Sequence, residues 1–137
     1  MIKALRADTN NQRIFGYSYN FSSLKQVREF AAHLRRDAAQ FFDGRLSCLV
    51  NNAGVFMEER EVTGDGLEAT WAVNVAAPFL LTAELLDLIA AASGRVVNVS
   101  SISLADGLDF GNTQQASGAA DTRGARQLRC SGRARGA

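Results

Sequence analysis

The stretch LSCLVNNAG, residues Leu46–Gly54, decides the fold. Its first six residues, Leu46–Asn51, form an apolar run of strand length, which indicates burial on both faces of a sheet. Two asparagines end the run with side chains that favour turns, and Gly54 supplies a backbone without a Cβ. In open parallel sheets, ligands bind just beyond the carboxyl ends of the strands. The stretch therefore predicts either an ordinary turn or one edge of a ligand site.

The composition indicates one folded domain of ordinary size. The chain has 137 residues, of which 47% are hydrophobic, and a net charge of +1, which is enough for a real core. No run approaches the length of a membrane span and residues 1–20 lack the order of a signal peptide, so we expect a cytoplasmic protein with no membrane span. Cys48 and Cys130 do not form a spaced framework, and we expect both to be reduced.

Residues 112–137 differ in composition from residues 1–111. They hold five arginines against one acid, and 17 of the 22 residues in 116–137 are Ala, Gly, Arg or Ser. Leu128 is the only large aliphatic residue there, so this segment cannot bury enough apolar area to offset the entropy of ordering it. We expect a partial nucleotide-binding domain at 1–111 and a disordered basic tail at 112–137. Because the tail lacks interleaved aromatic residues, no nucleic acid partner is expected.

A strand and a helix are predicted before the deciding stretch. The aromatic and aliphatic side chains of Arg13–Asn20 favour a strand. Ser23 and Gln26 then have the spacing of a capping box, and apolar residues recur every three or four positions from Leu24 to Phe41. The order strand, helix, strand implies parallel pairing through a right-handed crossover.

A second helix is predicted over Gly66–Ala92. Asp65 is placed to cap it, Gly94 to stop it, and Pro78 to kink or divide it. Asn74 lies beside the apolar stripe of this helix, where an amide needs hydrogen-bond partners. Two interpretations of Asn74 stay open: a structural amide that bonds backbone, and a chemical role.

A further strand, Arg95–Ser101, closes the pattern. It ends in Ser100 and Ser101, as the earlier strand ends in Asn51 and Asn52. Because parallel strands end at the same side of a sheet, we expect both polar endings at one edge.

Three segments in this order resemble the short-chain dehydrogenase/reductase family. They are Asn51–Gly54 after a strand, Asn74 within WAVNVAAPFLLT, and Ser100–Ser101 closing RVVNVSS. The stretch Glu61–Leu81 is similar to the retinol-dehydrogenase-like branch, and the resemblance covers roughly residues 10–115. It implies an α/β fold with a partial doubly wound, Rossmann-like parallel sheet that retains strands three to five of the family order. It also implies hydride transfer between NAD or NADP and a small-molecule alcohol or carbonyl substrate.

The resemblance also implies a site. The residues that match the family by position are Ser101 and Asn74 for catalysis, and Asn20, Phe21, Asn52, Ala53 and Gly54 for the cofactor. Ser101 would hydrogen-bond the substrate oxygen as charge develops on it, and Asn74 would hold a water of the proton relay. Asn20 stands where the family has an aspartate that accepts a hydrogen bond from adenine, and an amide oxygen can accept the same bond. No metal site is expected.

Two parts of the family's machinery are absent from the 137 residues. A tyrosine followed four residues later by a lysine should lie beyond Ser101, but all tyrosines and lysines of this chain precede Gln26. The glycine-rich loop should follow the first strand, and the match to the third strand begins near Arg13, which leaves no room upstream. We therefore expect a chain that is truncated at both ends.

Three functions follow from these observations. The first is a fragment of an NAD(P)-dependent oxidoreductase without catalysis of its own, since a positioned acid/base contributes about 10²–10⁴ in rate. The second is a non-catalytic interaction module. In the strand order 3-2-1-4-5-6, strands one and two lie between three and four, so their loss leaves Leu46–Asn51 with an open edge for a full-length relative or a second copy. Arg13–Asn20 then either pairs with Leu46–Asn51 or stays unpaired. The third is a working oxidoreductase.

Overall fold

The computed structural model describes residues 1–57, 59–101 and 110–114. The elements are α1 (Ile2–Thr9), α2 (Leu24–Phe41), β1 (Cys48–Asn51), α3 (Ala69–Trp71), a π-helical segment (Ala72–Ala76), α4 (Ala77–Ala91) and β2 (Arg95–Asn98). The predicted α/β class is confirmed. Nearly all of the predicted tail, residues 112–137, lies outside the described residues.

The two strands form a parallel pair, as predicted. Cys48 lies opposite Arg95, and Asn51 lies opposite Asn98. The backbone N–H of Val99 donates to the carbonyl oxygen of Asn51 over 3.0 Å, so the pairing continues to the end of both strands. The polar endings therefore lie at one edge of the sheet, which confirms that expectation.

The predicted strand Arg13–Asn20 is wrong, because within the described residues the sheet has two strands and this segment is not one of them. Its rings pack on α2 instead: the Tyr17 and Tyr19 ring centroids lie 6.2 and 5.1 Å from that of Phe30. The Tyr19 hydroxyl also lies 3.1 Å from Nδ1 of His33. Without a neighbouring strand, the alternating aromatic residues find burial on a helix, so the unpaired alternative is the one observed.

The first helix, α1, is not predicted by the sequence pattern. None of its residues is buried, and its side chains Ile2 and Arg6 contact the segment that follows the helix. The Nε and Nη2 atoms of Arg6 donate to the carbonyl oxygen of Ile14 at 2.9 and 2.6 Å. Local propensity and these two side chains position α1.

The helix α2 confirms its predicted bounds and half of its capping box. The Ser23 hydroxyl accepts from the backbone N–H of Gln26 at 3.5 Å. The Gln26 side chain accepts from the backbone N–H of Asn20 at 2.9 Å, rather than from Ser23 as the full box requires. The buried face holds Val27 and Ala31, which lie on the predicted apolar side.

The next helical stretch begins at Ala69 and not at Gly66, and its cap is not the predicted one. Glu68 accepts from the backbone N–H groups of Thr70 and Trp71 at 2.9 and 2.8 Å. Asp65 instead accepts from the backbone N–H of Leu24 at 2.8 Å and so caps the start of α2. The turn before Ala69, with Gly66 at φ +77°, displaces Asp65 from the axis of the helix that follows it.

Pro78 lies in the first turn of α4, where a missing N–H is tolerated. The helical stretch is not divided there; it adopts the wider π geometry over Ala72–Ala76, just before the proline. The division predicted at Pro78 is therefore wrong, and the helical stretch changes from π to α geometry at Ala77, one residue before the proline.

The helical stretch Ala69–Ala91 is long and apolar. This helical stretch has 23 residues and contains an 18-residue window with a mean hydropathy of 1.6, so it has the length and composition needed to cross a membrane. The expectation that no run has membrane-span length is therefore wrong. A buried core helix can have the same composition, and 33% of the apolar window is buried here.

The core lies between α2, α4 and one face of β1. Its buried residues are Val27, Ala31, Leu49, Ala77, Leu81, Leu85 and Ile89. Gly94 lies between α4 and β2 and packs closely against the backbone just before β1. A Cβ added to Gly94 would lie 2.5 Å from the carbonyl oxygen of Leu46. The helix itself stops through Ser93, which takes the left-handed φ of 50° that a C-terminal glycine usually adopts. The backbone N–H of Gly94 donates to the carbonyl oxygen of Ile89 at 2.8 Å, so Gly94 takes part in the helix stop as predicted and is also closely packed.

Candidate functional site

The carboxyl edge of the sheet is joined by side-chain amides. Nδ2 of Asn51 donates to Oδ1 of Asn98 at 2.8 Å, and it lies 3.3 Å from the hydroxyl of Thr82 on α4. Asn98 and Thr82 are edge residues that were not predicted from the sequence. Only Asn98 could have been identified beforehand, because it holds the same register position in β2 that Asn51 holds in β1.

Asn74 clamps the loop that follows β1. Its Nδ2 donates to the carbonyl oxygen of Val55 at 2.8 Å, and its Oδ1 accepts from the N–H of the same residue at 2.9 Å. Of the two interpretations left open by the sequence, the structure shows the amide that bonds backbone. An asparagine side chain has two donors and two acceptor lone pairs, so the exposed Asn74 keeps one of each for a further partner such as water.

Three of the predicted cofactor residues meet at one cavity. Phe21, Asn52 and Ala53 line a space of about 190 Å³ between α2 and the end of β1. The sequence placed Phe21 thirty-one residues before Asn52, and only the fold brings them together. Their convergence at the carboxyl end of a parallel strand is the arrangement by which open sheets bind ligands.

Asn20 and Gly54 are not among the residues that line this cavity. The Asn20 side-chain oxygen accepts from the backbone N–H and the hydroxyl of Ser22, at 2.9 and 2.8 Å. Both of its lone pairs are therefore engaged in a turn, and an adenine amine has to displace one of them. An ideal Cβ on Gly54 would lie 3.5 Å from Oδ1 of Asn74, which is ordinary van der Waals contact.

Ser101 lies three residues beyond the end of β2 and is exposed. Because β1 and β2 are paired in parallel, Ser101 follows the same edge of the sheet as Asn52 and Ala53. The predicted residues Ser101 and Asn74 thus come from separate elements that meet this edge, one after a strand and one from the π-helical segment.

The tyrosine hydroxyl with a perturbed pKa lies away from this edge. Tyr17 donates to a carboxylate oxygen of Asp37, and this hydrogen bond, with a smaller effect of burial, raises the pKa of Tyr17 to about 12. A hydroxyl with a raised pKa is a poor proton donor near pH 7, where an acid/base catalyst needs a pKa close to the working pH. Tyr17 therefore does not replace the tyrosine that the family resemblance leads us to expect.

The other two groups with shifted pKa values, Arg35 and Asp87, form a structural ion pair. Arg35 forms a bidentate pair with Asp87, with both N–O distances at 2.6 Å, and so ties α2 to α4. This pairing lowers the pKa of Asp87 and raises that of Arg35. In the part of the chain that the structure describes, no three His, Cys, Asp or Glu side chains are placed to hold a metal ion.

A comparison with protein families agrees with this architecture. The family model for short chain dehydrogenases matches residues 1–135. The chain therefore belongs to the short-chain dehydrogenase family, and its helices and parallel strands are part of that family's Rossmann fold. The predicted resemblance is confirmed.

Individual relatives bear the same relation. Over 110 residues the chain is 38% identical to retinol dehydrogenase 13 of Homo sapiens. This alignment covers 79% of this chain and 32% of that protein. A short-chain oxidoreductase from Brucella ovis was solved with a partially ordered NAD and is 30% identical to this chain, with a TM-score of 0.51. The match covers 62% of this chain and 41% of the Brucella ovis chain. A blue fluorescent protein from a metagenomic library, solved with NADPH, is 30% identical with a TM-score of 0.52 and covers 74% of this chain and 39% of its own.

These comparisons support NAD or NADP as the cofactor of the family to which this chain belongs. The chain spans about a third of the length of the curated relatives that it matches.

Proposed function

We propose that this chain is a nucleotide-contacting portion of an NAD(P)-dependent oxidoreductase and does not catalyse hydride transfer alone. The observation that carries the proposal is the convergence of Phe21, Asn52 and Ala53 on one cavity at the carboxyl edge of the sheet. The cavity measures about 190 Å³, whereas pockets that enclose a drug-sized ligand measure roughly 300–1,000 Å³. The chain therefore contacts only part of a dinucleotide, and we expect weak binding.

The residues at this edge hold a nucleotide by shape and by hydrogen bonds. Ala53 and Gly54 permit close approach of backbone to ligand, and Asn74 fixes the loop that carries them. The substrate of the family reaction is a small-molecule alcohol or carbonyl, and Ser101 is the group proposed to donate a hydrogen bond to its oxygen. Because both tyrosines precede β1, no tyrosine follows Ser101 in this chain to exchange the substrate proton.

Titration with NADH and NADPH tests this proposal. We expect saturable fluorescence changes with a Kd of ~1 mM, which is about −4 kcal/mol, and no turnover of alcohols or ketones. Ala53→Trp should fill the cavity and weaken binding at least tenfold. Ala32→Trp, on the exposed surface of α2, is the matched control and should bind like the unmodified chain. Steady turnover contradicts the non-catalytic role, and equal binding by both variants contradicts the site.

The alternative function is an interaction module, and one observation favours it. The sheet has two strands in the described part of the chain, and β1 carries β2 on one side only. An unpaired strand edge is a template for pairing with another chain. The partner is either a full-length relative or a second copy. Sedimentation of the pure chain, alone and mixed with a full-length relative, distinguishes these from a monomer that binds neither.

We further propose that the chain resides in the cytoplasm. The buried positions of Ala69–Ala91 in the core support this location, although the same stretch has the composition of a membrane span. Fractionation of cells that express a tagged chain provides the test. Recovery in the membrane pellet after a carbonate wash contradicts the proposal.

A further inference from the structure

A second cavity lies at the other end of β1 from the carboxyl edge of the sheet. Its volume is about 340 Å³, and it reaches Leu46, which precedes the strand, whereas the smaller cavity reaches Ala53 beyond it. Phe15 and Tyr17, which precede α2, line it together with residues of α2 and α4. A pocket of roughly 300 Å³ or more is large enough to enclose a small organic molecule. The size of this cavity therefore suits a ligand separate from the dinucleotide.

The walls of this cavity are apolar and aromatic. Four of its lining residues are Phe15, Tyr17, Phe30 and Phe42. The ring centroids of Phe15 and Phe42 lie 6.4 Å apart, and those of Tyr17 and Phe30 lie 6.2 Å apart. Aromatic faces attract cations through the ring quadrupole. The guanidinium carbon of Arg6 lies 5.9 Å from the Phe15 centroid, so one of these rings already contacts a cation.

One carboxylate lies in this wall. The Asp37 side chain lines the cavity and is only 15% exposed. Its Oδ2 accepts from the hydroxyl of Tyr17. Its Oδ1 lies 4.0 Å from Nε2 of His33, which is too far for a hydrogen bond, and this imidazole carries a charge only when it is protonated. No lysine or arginine in the part of the chain that the structure describes forms an ion pair with Asp37. Its Oδ1 therefore keeps lone pairs for a ligand.

The charge of Asp37 favours a cation as that ligand. A carboxylate that is largely removed from water loses hydration, and a bound cation offsets this loss. The hydrogen bond to Asp37 raises the pKa of Tyr17 to about 12, with burial and the charge of Asp37 as smaller causes, so the carboxylate acts on its neighbours as a negative charge. Arg45, the other charged lining residue, is exposed. Water and salt therefore screen the charge of Arg45 more strongly.

We propose that this cavity binds an arylalkylammonium ion, with the ammonium group on Oδ1 of Asp37 and the apolar body against α2 and α4. An ammonium group has three donors, and Oδ1 can accept one of them while Oδ2 keeps its bond from Tyr17. Leu34, Leu85 and Leu88 line the cavity and supply the apolar contacts for the body. This site is independent of the nucleotide site proposed at the other end of β1.

Ligands of other charge are the competing occupants. An arylalkyl carboxylate would pair with Arg45 through the planar fork of the guanidinium. Its charge would then share one cavity with that of Asp37, and like charges repel. A neutral ligand gains the apolar contacts without any charge pairing. Because these three classes differ in charge and can share one body, matched probes distinguish them.

The test uses three probes with the same phenylethyl body: phenethylamine, phenethyl alcohol and hydrocinnamate. Each is titrated into the full chain at about pH 8, where an alkylamine is protonated and a histidine is neutral. Shifts of the backbone amide resonances report binding. We expect the amine to saturate with a Kd below about 1 mM and to bind at least roughly tenfold more tightly than the alcohol. Absence of saturation by the amine, equal binding of amine and alcohol, or tighter binding of hydrocinnamate overturns the proposal.

A matched pair of variants tests the role of the carboxylate. Asp37→Asn keeps the shape of the side chain and an oxygen for the Tyr17 hydroxyl, but it removes the charge. This variant should bind the amine and the alcohol equally. Asp43→Asn removes an exposed charge just after α2, at a residue that does not line the cavity, and should keep the preference for the amine. Circular dichroism shows whether both variants retain their helices. A folded Asp37→Asn variant that still prefers the amine refutes the proposal.

The positions of the shifted resonances locate the ligand without any variant. Phenethylamine should shift the amides of Leu34, Asp37 and Ala38, which line this cavity, whereas NADPH should shift those of Asn52 and Ala53. Amine-dependent shifts confined to Asn52 and Ala53 contradict the proposed site. Amine binding without NADPH binding refutes only the nucleotide proposal, and NADPH binding without amine binding refutes only this one.

Discussion

Replacing Glu68 by alanine should destabilise the start of the Ala69–Ala91 helix. Glu68 is 4% exposed, and its carboxylate accepts from the backbone N–H groups of Thr70 and Trp71. Loss of one N-terminal cap costs about 0.5–2 kcal/mol. Because two backbone donors lose their partner at a buried position, we expect a cost near the upper end, about 2 kcal/mol. This is roughly a thirtyfold change in the folding equilibrium.

Replacing Asp65 should affect a different helix. Asp65→Ala should leave the start of Ala69–Ala91 intact and destabilise the start of α2, because its carboxylate accepts from Leu24 over 2.8 Å. Asp65 is exposed, so the cost should be smaller, about 1 kcal/mol. The two caps thus act on different helices although they are three residues apart.

Urea unfolding and native-state hydrogen exchange measure both effects. The urea midpoint gives the loss of free energy of unfolding. The hydrogen-exchange pattern shows which segment loses protection: Ala69–Ala76 for Glu68→Ala, and Leu24–Val27 for Asp65→Ala. Glu59→Ala, an exposed acid in the preceding loop, is the control and should change neither. If Asp65→Ala instead lowers protection at Ala69–Ala76, the caps are assigned wrongly and the simpler pattern in the sequence is correct.

Three further changes have defined outcomes. Gly94→Ala should lower the free energy of unfolding by about 1–3 kcal/mol, because the new Cβ would lie 2.5 Å from a backbone oxygen of Leu46 that cannot move aside; an unchanged urea midpoint contradicts this contact. Asn74→Ala should release the Val55 backbone, accelerate its amide exchange and weaken NADPH binding, whereas retained protection refutes the clamp. Tyr17 ionises at about 12 rather than 10 in the folded chain, so its hydrogen bond stabilises the fold fully below pH 10 and is lost as pH rises through 12. Tyr17→Phe should abolish that part of the alkaline loss of stability, as followed by circular dichroism across the same pH range.

The elements that were predicted correctly are those fixed by neighbours in the chain. The α2 helix needs only the period of its apolar residues and the cap at Ser23, and both are local. The strand β1 follows from the apolar run before Asn51, and its end coincides with the first asparagine. The side chains of Phe21, Asn52 and Ala53 were named from resemblance to a family, since no local pattern connects them.

The errors arise where a group had a choice of partner. Arg13–Asn20 has the residues of a strand, but a strand needs a neighbour, and its tyrosines pack on α2 instead. Asn74 satisfies either a chemical or a structural interpretation until Val55 is placed within 2.9 Å of it. A hydrogen-bond partner far along the chain is not encoded in the spacing of nearby residues.

The sequence by itself determined the α/β class, the family, the two parallel strands and the residues at their polar ends. The tertiary structure alone decided which carboxylate caps which helix, that Asn51 bonds Asn98, and that Phe21 meets Asn52 and Ala53 at one cavity. The physical reason is range. Periodicity and capping act within a few residues, whereas a cavity or a hydrogen bond across the sheet depends on where distant segments meet.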